Sequence, residues 1–154
     1  MIEHGYERFT KDVDVLVYAA DLHRAMTALR AAGFTGNRTP IGAKMRDPET
    51  AVDVDVLGTA FEAEERALSR SARARTALPA IPVAHLILMK LEGGRSKDYA
   101  DVVELLKAGA SVQAVSRYLK RVWPKLLPRF RELVAQARAE LKPRPRRGPD
   151  PSGR

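Results

Sequence analysis

Apolar positions along the chain follow two rhythms. In "DVDVLVY" (residues 12–18) valine and leucine dominate, and the β-branched content predicts a strand that begins on two aspartates. "AVDVDVL" (residues 51–57) alternates strictly, which predicts a second strand with one apolar face. Between them Leu22, Ala25, Met26 and Leu29 recur at helical spacing. A helix over residues 22–32 follows, with Asp21 as its N-cap and Gly33 as its stop. "TGNRTPIGAKMRDPET" keeps no sustained period and reads as loop with one short strand over residues 41–45. Residues 60–70 read as a weak helix or an irregular Glu/Ala-rich segment, and residues 72–78 as a short edge strand. "LPAIPVAH" is expected to be extended, because a proline disfavours helical backbone in the residue before it.

From Val83 the rhythm becomes helical. An apolar helix over residues 83–92 ends at Gly93-Gly94. Ser96 is the expected cap of the next, whose stripe is Tyr99, Val102, Val103 and Leu106 and which closes at Gly109. Ser111 caps a third helix to Val122. Pro124 opens a fourth to Leu141, with Leu127, Phe130, Leu133, Val134 and Ala137 on one face. Strands first and helices later predict a small α/β or α+β domain with a C-terminal helical extension. The tail "KPRPRRGPDPSGR" has no apolar anchor and is expected to be disordered, leaving domains of 1–110, 111–141 and 142–154.

Composition changes this picture at one point. The 154 residues carry a net charge of +8, but unevenly. Residues 1–110 hold 15 basic and 16 acidic side chains, whereas residues 111–154 hold 12 and 3. Such a step fits a polyanionic partner for the second part, or else a solvated basic helix and tail. Tyr118 and Trp123 stand among Arg117, Lys120, Arg121 and Lys125, a mixture that suits nucleic acid but also simple packing between helices. Arg144, Arg146 and Arg147 in the tail could add salt-sensitive phosphate contacts. Without cysteine, disulfides and thiolate metal sites are excluded. The expected location is the cytoplasm, since no apolar run has the length of a membrane span and no secretory signal is present. His4, His23 and His85 are too scattered for a histidine metal site.

The chemistry sits in the aspartates. Residues two apart on a strand share a face, so Asp12 and Asp14 project together, as do Asp53 and Asp55. Like charges this close repel unless something positive lies between them. A hard divalent cation such as Mg²⁺ answers that need, being held by carboxylates and substrate phosphates. If the two strands pair, three or four carboxylates converge, enough for two metal ions and an in-line phosphoryl displacement. The plainer alternative is one solvated face of a sheet. Downstream, Lys90 and Arg95 could offer positive charge to a triphosphate, and Asp98 and Asp101 are neighbours on one helix face. The plainer alternative there is a set of ion pairs tying two helices together.

Three stretches, "HGYERFTKDVDVLV", "VDVDVL" and "LPAIPVAHLILMKLEGGRSKDYADVVELL", resemble nucleotidyltransferase-like proteins related to AbiEii-type toxins, within the polymerase-β-like superfamily. The resemblance covers residues 4–107. It implies an α+β nucleotidyltransferase-like fold with a small mixed sheet, and metal-dependent transfer of a nucleotidyl group from a nucleoside triphosphate, with two Mg²⁺ ions. It also implies an acceptor hydroxyl on tRNA or a protein and a setting in toxin–antitoxin or phage-defence pairs, with a cognate antitoxin as partner. Asp12 and Asp14 match the metal-binding pair, and Asp55, ahead of Asp53, matches the third acid that helps activate the attacking hydroxyl. Arg8, Thr10, Lys90, Arg95, Asp98 and Asp101 match further positions of the pattern. In that family a strand ending in Gly-Gly or Gly-Ser, which cradles phosphate, precedes the segment seen here as His4-Gly5. Its absence here leads to two expectations. Either the native product extends upstream of Met1 by about twenty residues or more, or the chain is a truncated, inactive relative that works as a binding module. A basic RNA-binding protein with structural acids is the third expectation.

Overall fold

A computed structural model describes residues 12–73 and 80–141. Arg8, Thr10, the expected tail and most of the expected strand over 72–78 lie outside these residues. The fold is α+β, with one four-stranded mixed sheet and six α-helices among the described residues. No described helix is long and apolar enough to cross a membrane. The chain divides into two compact units, with the division falling after Leu86.

In the first unit the strands are β1 (Asp12–Val17), β2 (Thr35–Thr39), β3 (Gly42–Arg46) and β4 (Asp53–Gly58), in the order β1-β4-β3-β2. β1 runs parallel to β4, and β4, β3 and β2 are antiparallel in turn. The parallel pair needs a crossover, part of which is helix α1 (Leu22–Ala31). α1 packs on β3 and β4, and the core gathers Leu22 and Met26 from the helix with Ala43, Met45, Val54 and Val56 from the sheet. Strand alternation thus puts valine, alanine and methionine under α1 and sends aspartate, lysine and arginine to the other face. Helix α2 (Glu62–Arg73) follows β4. Ala72 and Arg73 close that helix, where the sequence suggests an edge strand. The segment over residues 60–70, weak by pattern, is well formed as helix from Glu62.

Two further differences have local causes. β2, "TGNRT", has no apolar alternation, and it forms as the outer strand of a hairpin whose pairing with β3 supplies what periodicity lacks. Asp21 stands at the N-cap of α1, but makes no capping hydrogen bond. Its carboxylate lies 3.2 Å from Arg24 instead, at the end of a short 3-10 turn over Ala19–Asp21.

α3 (Val83–Gly93) spans the division between the units. The second unit continues with α4 (Ser96–Lys107), α5 (Val112–Val122) and α6 (Leu127–Leu141). α4 lies along α6, and α5 packs on α6. Phe130, Leu133, Val134 and Ala137 of α6 are buried, as the sequence stripe requires, along with Val102, Val103, Leu105 and Leu106 of α4. Ser111 caps α5 by accepting from the Ala114 amide at 3.3 Å. At α4 the N-cap is Arg95 rather than Ser96, so the helix starts one residue earlier than a serine cap demands.

Candidate functional site

The register of β1 on β4 pairs Asp12 with Asp53 and Asp14 with Asp55. Because each pair is in phase, all four aspartates lie on one face of the sheet, opposite the face covered by α1. This face is open: Asp12 and Asp14 are exposed, and Asp53 and Asp55 half-buried. The carboxylates do not all turn toward one another. Register pairs Arg46 of β3 with Asp53 and Lys44 with Asp55. The Arg46 guanidinium donates to both Asp53 oxygens, at 2.8 and 3.0 Å, and Lys44 Nζ donates to Asp55 Oδ2 at 3.1 Å. The expected convergence of three or four carboxylates is therefore met in backbone placement but not in side-chain aim. Among the described residues no three acidic or histidine side chains are gathered as a metal-ligand group.

The donor set nonetheless suits a hard cation in kind. It is made of carboxylate oxygens with no softer ligand among them, on a face that water and phosphate can reach. Binding there requires Lys44 and Arg46 to release Asp55 and Asp53. Both pairs are partly exposed, with the side chain of Lys44 74% accessible and that of Arg46 54%. Exposed pairs of this kind are weakly held. Neither cation was singled out from the sequence. The signal was there: "AKMR" alternates cation and apolar residue in the same period as "DVDV", and antiparallel pairing sets cation against carboxylate.

The second cluster lies wholly in the second unit. Lys90, near the end of α3, donates to Asp101 Oδ2 at 2.8 Å and to Asp98 Oδ1 at 3.4 Å. Arg95, in the turn, donates to Asp98 through Nε at 2.7 Å and through a terminal nitrogen at 3.1 Å. Both carboxylates are almost wholly buried, at 2% and 4% side-chain accessibility, while Arg95 is 76% accessible. Burial pushes the Asp98 carboxyl upward, but hydrogen bonds and charge from Arg95 and Lys90 outweigh it and hold it below the usual carboxylate range. Lys90 is thus engaged with Asp98 and Asp101, and Arg95 is the cation that also faces solvent. All four residues singled out from the sequence meet here, in the ion-paired arrangement that ties α3 to α4.

No protein-family model, curated protein or solved structure matches the chain.

Proposed function

We propose that the chain is a metal-dependent nucleotidyltransferase, moving a nucleoside monophosphate from a nucleoside triphosphate to a hydroxyl on RNA or protein. The observation that supports this most is the in-phase pairing of Asp12 and Asp14 with Asp53 and Asp55 on the open face of the sheet. The sequence resemblance to AbiEii-related proteins supplies the reaction and extends the reading to a toxin of a toxin–antitoxin or phage-defence pair. In this reading Asp12, Asp14 and Asp55 would hold Mg²⁺, with Asp53 beside them. Bound Mg²⁺ would supply neutralisation of phosphate charge. Asp55 accepts the proton of the attacking hydroxyl, a P–O bond forms between that oxygen and the α-phosphorus, and pyrophosphate leaves with the electrons of the broken α–β phosphoanhydride bond.

A second reading rests on the same face. Arg46 on Asp53 and Lys44 on Asp55 form a cross-strand charge ladder of a kind that stabilises sheets without catalysis. It favours an inactive binding module. One experiment separates the two. The chain is incubated with α-labelled nucleoside triphosphates, Mg²⁺ and bulk tRNA or protein, and its melting temperature is followed as Mg²⁺ is added. Transfer of label that Asp14→Ala abolishes, with a Mg²⁺-dependent rise in melting temperature that Asp14→Ala removes and Lys44→Gln enlarges, is expected of the enzyme. Absence of label together with identical melting in Mg²⁺ and EDTA is expected of the module.

A further inference from the structure

The chain from residue 105 to residue 131 carries seven basic side chains and not one acidic one. Three of them share one face of a helix, and a fourth follows in the next turn. Arg117, Lys120 and Arg121 stand three and four residues apart on α5, which makes them neighbours on one helix face. All three are exposed, while Val115 and Leu119 on the opposite side are fully buried. Lys125 continues the set, exposed in the 3-10 turn Pro124–Leu126 that follows. Among the described residues none of the four is paired with a carboxylate. The two acidic residues of α6 are already engaged: Glu132 with Arg129, and Glu140 with Lys107 and Gln136. Arg121 lies over the ring of Tyr118, 5.7 Å from its centroid, an arrangement that holds a guanidinium in place and leaves its charge intact.

Cations so close along the chain, with no carboxylate partner among the described residues, repel one another. A fold tolerates this in water, but the arrangement gains most from an external chain of regularly spaced anions, which releases bound counterions as it docks. We propose that Arg117, Lys120, Arg121 and Lys125 form a phosphate-binding ridge for an RNA strand. The ridge itself stands on charge and exposure in the second unit alone; the choice of RNA rests on the nucleotidyltransferase reading, in which RNA is an acceptor.

The test uses the full chain, without nucleoside triphosphate or Mg²⁺, and fluorescence anisotropy of labelled tRNA and of a single-stranded RNA across a range of salt. The basic residues beyond Leu141 are present in every arm, so differences between arms report the ridge. The quadruple variant R117Q/K120Q/R121Q/K125Q is expected to bind single-stranded RNA at least about 10-fold more weakly near 0.1 M salt. Its salt slope should be shallower by about 3, from four lost phosphate contacts at about 0.7 each. The variant R24Q/R66Q, which removes exposed arginines of the first unit, is expected to bind like the parent. Circular dichroism and melting of the quadruple variant should match the parent, because all four residues are exposed and none is paired with a carboxylate among the described residues; if they do not, the single variants K120Q and R121Q must each show a weakened, shallower salt response. An unchanged slope in the quadruple variant, or in both singles, overturns the ridge. Equal binding of single-stranded DNA overturns the choice of RNA, and equal competition by polyglutamate overturns nucleic acid in favour of an acidic protein. Asp14→Asn is expected to bind RNA normally, so loss of turnover in that variant and loss of RNA binding in the ridge variants are separate failures.

Discussion

Gly93 owes its place to Asp98. A Cβ added at this last residue of α3 would sit 2.9 Å from Asp98 Oδ2, closer than carbon and oxygen normally approach. The carboxylate cannot retreat without giving up bonds to Arg95 or Lys90, and it is buried. Replacing glycine by alanine within a helix ordinarily gains about 1 kcal/mol. Here Gly93→Ala is expected to lose about 1–3 kcal/mol, the range for a side chain forced into a filled space. Urea denaturation measures it, and a gain in stability would show that the carboxylate moves aside freely. The same cluster explains why Arg95 rather than Ser96 is the N-cap of α4. Its extended backbone turns the chain into the helix while its side chain folds back onto Asp98, three residues on.

At the scale of elements, the local signal at Ser111 is complete in itself. Its hydroxyl accepts one of the amides that open α5, and no other side chain is needed. Ser111→Ala is therefore expected to cost about 1 kcal/mol and Ser111→Asp to restore most of it. Thermal melts of the three proteins check the order. Elements of this kind were legible in the sequence: α5 and α6 from caps and stripes, β1 and β4 from apolar content and period. β2 was not, because "TGNRT" carries no pattern and exists through its partner β3. The acidic face followed from the two D-x-D spacings, and the pairing of their strands was a conditional expectation that the register meets. The aim of Asp53 and Asp55 toward Arg46 and Lys44 did not follow, since it depends on which strand lies on the far side of β4. Lys90 and Asp98 sit close in sequence, so their meeting was foreseeable; that both carboxylates would be buried depends on packing that spacing does not encode.

At the scale of the whole molecule, acid should act on the two units in different windows. His85, in the first unit, is 1% exposed. Burial lowers its pKa, against an opposing pull from the charge of Glu64. A histidine with a folded pKa below its unfolded value, about 6.5, binds fewer protons when native. Its contribution is then complete above that pH and declines as pH falls below it. Asp98, in the second unit, is also held below its unfolded value, about 3.9. Its contribution is complete above that value and is lost only as pH falls through the lower, folded one. The melting temperature is expected to decline below about pH 6.5 and again below about pH 4. His85→Phe should remove the first decline and keep the second. Identical profiles for the parent and His85→Phe would show that the imidazole does not set the upper window.

The step in charge and the step in structure fall at different places along the chain. Basic residues begin to dominate after residue 110, but α4, which ends at Lys107, is packed along α6 on the far side of that step. A gene cut where the charge changes would therefore split one hydrophobic body, parting α4 from the helix packed along it and inviting aggregation. Anyone wishing to express a near-neutral part and a cationic part of this polypeptide separately will find that electrostatics marks a surface, and that cohesion obeys another boundary.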